Sequence, residues 1–199
     1  MAFIDLSIFQ PTSMQWIRHI PNTLTLLRIA LSIFLLFFIL HAPTFFKLSK
    51  AHADYASAFI FILAALTDFL DGTIARRYHF KTLFGEIFDP LADKILILAA
   101  FLGLLHLGRI TPWVPFVILG REFFIAGLRV SVSYMGKNIA VSQLGKYKTL
   151  LQVCAIFFLL ADIHIYGVMV GYFLVALAVF ATLYSGADYV FKYYQLVRN

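Results

Sequence analysis

A series of long, predominantly apolar runs limits what this chain can become. The first, Leu24 to Leu40, contains a single charged residue, Arg28. Others cover Tyr55 to about Arg77, about Gly85 to His106, Trp113 to about Met135, about Lys146 to Leu160, and about Gly167 to Tyr189. A helix needs about 20 apolar residues to cross about 30 Å of hydrocarbon. In lipid each backbone amide must be satisfied internally, which leaves helices or closed barrels. The chain is 62% hydrophobic and 13% charged, against about 45–50% and about 25% in ordinary soluble domains. The expected fold class is therefore all-α: a polytopic membrane protein with six transmembrane helices.

Residues 1–20 are mixed and aromatic, and read as an N-terminal interfacial segment lying on the membrane surface. Pro21, Asn22 and Thr23 are expected to open the first helix, with Asn22 or Thr23 as its N-cap. The six-helix domain then occupies 21–199. His41 to Asp54 reads as a polar connection, and Lys192 to Arg198 as a tail. Six spans put both termini on one side. That side carries Arg18, Arg76, Arg77, Lys81, Lys137, Lys146, Lys148, Lys192 and Arg198; the other carries Lys47, Lys50 and Arg109. This asymmetry predicts a multi-pass protein of the inner, cytoplasmic membrane with both termini in the cytoplasm. The net charge of +6 follows lipid headgroups and orientation, and no nucleic-acid partner is expected. The one cysteine, Cys154, excludes an intrachain disulfide.

Four aspartates interrupt this apolar pattern. Asp68 and Asp71 fall in the last turns of the second span, and Asp89 and Asp93 in the first turns of the third. Each pair shares a helical face, and a short loop joins the two helices, so the carboxylates converge at one depth near the cytoplasmic end. Four like charges in a low dielectric call for compensation. Two divalent cations would neutralise them. Aspartate oxygens suit Mg²⁺, Mn²⁺ or Ca²⁺ rather than Zn²⁺. Gly72 and Ala75 offer a small-residue shelf, and Arg76 a planar fork for phosphate. Together these describe a diphosphate site.

The spacing Asp68-x2-Asp71-Gly72-x2-Ala75-Arg76-x8-Gly85-x3-Asp89-x3-Asp93 resembles the signature of the CDP-alcohol phosphatidyltransferases at every defined position. The resemblance implies displacement of CMP from a CDP-linked lipid by an alcohol, with divalent metal, within the membrane. It implies that Asp68, Asp71, Asp89 and Asp93 ligate two ions, Mg²⁺ or Mn²⁺, and that Asp93 is the base taking the acceptor's hydroxyl proton. Gly72, Ala75, Arg76 and Thr82 would contact the CDP moiety, with Asn22 and Thr25 nearby. A homodimer is also implied.

The later spans bear on the acceptor. Arg121 and Arg129 are eight residues apart, about 80° around a helix, so they share a face. Lys146 and Lys148 open the fifth span. With Arg28, these cations suit a phosphorylated acceptor. The patterns RE-x6-R, GK-x-KT-x2-Q and IPN-x-LT-x2-R are similar to those of the bacterial subgroup that combines CDP-diacylglycerol with glycerol 3-phosphate. The other readings are a different acceptor, serine or inositol phosphate, and, from another class, a divalent-cation transporter.

Overall fold

The computed structural model describes the backbone of residues 13–45, 47–78, 83–137, 143–165 and 168–198. Within these, it describes all side chains except those of 13–21, 43, 68–78, 83–87, 89, 143–146, 168 and 169. Six helices follow one another: α1 (Ser13–Phe45), α2 (Lys50–Tyr78), α3 (Leu83–His106), α4 (Trp113–Tyr134), α5 (Gln143–Leu160) and α6 (Val170–Arg198). Two-residue strands, β1 (His164–Ile165) and β2 (Val168–Met169), pair antiparallel between α5 and α6.

The helices run past several expected boundaries. Helix α1 begins at Ser13, so Asn22 and Thr23 lie inside it rather than at its cap. Extending an existing helix costs far less than starting one, so Pro21 is carried through although it removes one backbone bond. The 41–54 connection shrinks to residues 46–49. Its polar groups are satisfied locally. His41 stacks on Phe37 at 4.7 Å and its Nδ1 bonds the Phe37 carbonyl, while Thr44 donates to the His41 carbonyl. The expected 192–198 tail is the last two turns of α6. There Lys192 pairs with Asp188 at 2.6 Å, and Lys137 donates to the Leu196 carbonyl at 3.0 Å. Pro90, expected near a helix start, lies two turns inside α3.

The core is a layer of large and small apolar side chains: Leu35, Phe61, Phe101, Leu104, Ile156 and Leu159, with Ala64 and Ala100 between them. Small residues allow close approach. A Cβ on Gly103 would sit 2.5 Å from Ile39, and one on Gly171 would sit 2.5 Å from Leu159 Cγ and 3.0 Å from its backbone nitrogen. Glycine at 171 thus lets α6 pack closely on α5.

Polarity is inverted relative to a soluble bundle. Ser32, Ser57, Gln152, Thr182 and Ser185 are buried, whereas Phe59, Phe116, Phe123, Phe173 and Phe180 are at least 58% exposed. Large apolar residues point outward from every helix, a surface that suits hydrocarbon rather than water. Among the described residues, Asn22–Ala42 and Val170–Arg198 are long and apolar enough to cross a membrane.

Turn chemistry sets the two ends. Gly108 (φ 68°) donates to Leu105 and Arg109 to Leu104, a glycine-terminated helix end. Gly136 (φ 66°) ends α4 in the same way. The first turn delivers Arg109 back onto the bundle. Its Nη1 donates to the carbonyls of Leu159 and Leu160 at 2.9 and 2.8 Å, and its Nη2 donates to Asp54 at 2.6 Å. This buried pair ties α2 to the end of α5. Sequence reasoning assigned both residues to connections.

Candidate active site

Helix positions bring the four aspartates to matched depths. Asp68 lies 10 residues before the end of α2 at Tyr78 (78 − 68), and Asp93 lies 10 after the start of α3 at Leu83 (93 − 83). Asp71 and Asp89 sit 7 and 6 residues from the same ends (78 − 71, 89 − 83). These places lie within two residues of those expected from runs ending near Arg77 and starting near Gly85. The helices are antiparallel neighbours. Of the four, only Asp93 has its side chain among the described residues.

Asp93 is held by α1. Arg28 is fully buried, and its Nη1 donates to Asp93 Oδ1 at 2.5 Å. Its Nε points to Thr67 Oγ1 at 3.5 Å, and Thr67 in turn donates to the Ala64 carbonyl at 2.6 Å. A buried guanidinium requires such a partner, because an isolated charge in low dielectric is strongly unfavourable. The Asp93 side chain remains 47% exposed while Arg28 holds its Oδ1. Thr25 is fully buried on α1 just before Arg28, and Asn22 is partly buried one turn earlier. Gly72, Ala75 and Arg76 lie on α2 with side chains outside the described residues, as is that of Lys146 on α5. Thr82 lies outside the described backbone.

Asp93 opens onto a cavity of about 260 Å³ between α3, α4 and α5. Three cations line it, Lys94, Arg121 and Arg129, against two carboxylates, Asp93 and Glu122. Thr149 and Gln152 complete its polar wall. Lys148 is buried behind it, with its ammonium on Glu122 Oε1. Arg121 Nη2 donates to Ser185 of α6 at 3.1 Å, and its Nη1 lies 3.7 Å from Glu122. Arg121 Nε is buried with no hydrogen-bond partner among the described residues. Lys94 rests over the Phe123 ring at 5.3 Å. Of the cations that sequence grouped around an acceptor, Arg121 and Arg129 line this cavity, Lys148 adjoins it, and Arg28 lies on the carboxylate instead. Lys94, Glu122, Thr67 and Ser185 were missed as members of the site. Adjacency to Asp93, Arg121 and Asp68 was the available signal for the first three; Ser185 had none.

A second opening is apolar. A groove of about 500 Å³ runs between α4 and α6, bounded by Phe116, Phe124, Leu183 and Val190. Arg121 and Ile125 line both the groove and the polar cavity. A Cβ on Gly186 would sit 3.2 Å from Arg121 Cγ, so glycine there lets Arg121 lie flat against α6.

The arrangement joins a gripped carboxylate, a cationic cavity and an apolar groove. This suits a phosphorylated small molecule meeting a lipid. Comparison with known proteins agrees. Residues 18–184 match the family model described as CDP-alcohol phosphatidyltransferase. The chain is 36% identical to a CDP-diacylglycerol–glycerol-3-phosphate 3-phosphatidyltransferase of Rickettsia typhi, covering 86% of this chain and 95% of that protein. The Bacillus subtilis protein of the same name is 35% identical, over 91% and 98% of the two chains. That of Shigella flexneri is 37% identical, over 86% and 93%. A family match over most of the chain and relatives of nearly equal length make the assignment direct: this chain belongs to the CDP-alcohol phosphatidyltransferase family.

Proposed function

We propose that the chain transfers a phosphatidyl group from CDP-diacylglycerol to sn-glycerol 3-phosphate, forming phosphatidylglycerophosphate and releasing CMP. The observation that carries this reading is the cavity that joins Asp93 to Arg121 and Arg129. Asp93, 47% exposed, takes the proton of the acceptor's primary hydroxyl. The freed oxygen attacks the phosphorus that bears diacylglycerol, and the bond from that phosphorus to the CMP oxygen breaks in line. CMP leaves with the electron pair. Arg28 fixes the rotamer of Asp93, so the base faces the cavity before the acceptor arrives.

Arg121, Arg129, Lys146 and Lys148 hold the acceptor phosphate in this reading, with Arg28 adding positive charge from behind Asp93. Asn22, Thr25, Gly72, Ala75, Arg76 and Thr82 hold the CDP moiety. Asp68, Asp71, Asp89 and Asp93 hold two divalent ions, Mg²⁺ or Mn²⁺. Their hard oxygen donors and matched helix depths fit that role. When bound, the ions offset diphosphate charge and stabilise the leaving oxygen. The groove between α4 and α6 offers the donor's acyl chains a path into the bilayer. All six helices span the inner membrane, both termini face the cytoplasm, residues 1–20 lie on its surface, and two copies form a homodimer. The outward-facing apolar residues on every helix support the six-span reading.

The test is CMP release by purified protein given CDP-diacylglycerol, Mg²⁺ or Mn²⁺, and one acceptor at a time. Release with glycerol 3-phosphate and not with serine or inositol phosphate is the expected result. Release driven by serine alone would overturn the acceptor, and ion flux without CMP release would overturn the enzyme.

A further inference from the structure

A carboxylate in a cavity that receives a phosphate is unfavourable unless it does something else. Glu122 is such a carboxylate. Its Oε1 takes both cationic contacts, from Lys148 and from Arg121 at 3.7 Å. Among the described residues its Oε2 takes no hydrogen bond, and the side chain is 24% exposed, opening onto the cavity. One oxygen therefore anchors the group between two cations, while the other is left as a charged acceptor beside the place where those cations would hold a phosphate. Coulomb repulsion keeps that oxygen off the phosphate itself. A hydroxyl close to the phosphate is the partner it can take, and such an O–H···carboxylate bond is among the strong ones.

From this geometry we infer that Glu122 is a specificity-determining residue that accepts a hydrogen bond from the acceptor's secondary hydroxyl, on C2 beside the phosphate-bearing carbon. The inference rests on the phosphatidyl-transfer reading above. Glu122 selects a polyol phosphate over an acceptor with only one hydroxyl. A site with a charged acceptor placed for a hydroxyl discriminates against the analogue that lacks it, because the carboxylate oxygen is then left unpaired in the occupied cavity. Glu122 takes no proton from the attacking hydroxyl, which belongs to Asp93.

The experiment compares sn-glycerol 3-phosphate with 3-hydroxypropyl phosphate, which keeps the attacking hydroxyl and the phosphate but lacks the C2 hydroxyl. Full-length protein is assayed for CMP release with CDP-dioleoylglycerol and Mg²⁺. The wild type is expected to prefer glycerol 3-phosphate in kcat/KM by about tenfold to a hundredfold, the effect of one hydrogen bond to a charged group. Glu122→Met keeps length and removes both oxygens, and should bring the two acceptors within about twofold. Glu122→Gln keeps a neutral acceptor and should retain an intermediate preference, which settles the matter if the methionine variant does not fold. If Glu122 serves only to hold Lys148, both substitutions raise the KM of the two acceptors by one common factor and leave their ratio unchanged, which overturns the inference. Equal use of both acceptors by the wild type also overturns it. No CMP release with glycerol 3-phosphate at all would instead defeat the functional reading on which it rests.

Discussion

The two ends of the bundle handle buried charge in opposite ways. At the end near the β1–β2 turn, Arg109 is 6% exposed and Asp54 is 7% exposed, 2.6 Å apart. Two helix-end carbonyls bind its Nη1, and Asp162 lies 3.3 Å from its Nη2. That cluster is closed on itself. At the other end Arg28 is equally buried, but its partner Asp93 is 47% exposed, and among the described residues Glu122 Oε2 and Arg121 Nε take no hydrogen bond. A saturated cluster contributes to holding helices together; an unsaturated one is arranged for something that has yet to arrive. The difference separates structural from functional charge in a chain where every ionisable residue inside the apolar runs is conspicuous.

Substitutions at the two ends should therefore fail in different ways. Asp93→Asn is expected to have the largest effect. CMP release should fall by about 10²–10⁴-fold, the usual contribution of a positioned base, with CDP-diacylglycerol binding partly kept and the unfolding midpoint lowered less than by Arg109→Ala, because asparagine leaves the buried Arg28 a neutral acceptor in place of its counter-charge. Wild-type turnover in that variant would remove Asp93 from the chemistry. Arg109→Ala should do the reverse. It leaves Asp54 buried without its cation, at a cost of about 3–5 kcal/mol, or about 6–20 °C in unfolding midpoint for a chain this size. The protein that remains folded in the cold should retain its kcat. A variant that loses activity without losing stability would show that the closed end couples to the site.

Arg129→Ala probes the open end more gently. Arg129 lines the cavity yet is exposed, so its removal leaves no buried partner stranded. The KM for glycerol 3-phosphate should rise about tenfold while that for the lipid donor changes little. An equal rise in both constants would place Arg129 away from the acceptor.

Much of this comparison was legible in the sequence, for identifiable reasons. Apolar runs fix helices directly, and all six appeared where expected. The ends of α3, α4 and α5 fell within three residues of those expected, but α1 starts well before Leu24, because helix propagation carries through Pro21 once neighbouring turns are formed. The aspartate motif was legible because local spacing on two adjacent helices encodes it. Arg28 was legible as a buried cation but not as the partner of Asp93, since 65 residues separate them and only the packing of α1 on α3 joins them. The Asp54–Arg109 pair was missed for the same reason: both residues flank apolar runs, where charge normally means water. Nothing in their own sequence neighbourhoods distinguishes a solvated loop charge from one folded inward by the Gly108 turn.

The smallest effect is expected from Lys50→Ala, and it tests what makes the closed end strong. Lys50 Nζ approaches Asp162 Oδ2 at 4.0 Å, but its side chain is 79% exposed. Arg109 approaches the same oxygen at 3.3 Å from a side chain that is 6% exposed. Exposed pairs contribute at most about 1 kcal/mol, and screening by salt reduces them further. The unfolding midpoint of Lys50→Ala should therefore fall by no more than a few degrees, and the difference from wild type should shrink as salt is raised from about one to a few Debye-screening increments above physiological strength. The Arg109→Ala deficit should persist under the same salt, because water and ions do not reach that pair. Equal, salt-sensitive losses in the two variants would mean that the end is held by surface electrostatics rather than by a desolvated, hydrogen-bonded guanidinium, and the contrast with the open site would then lie in exposure alone.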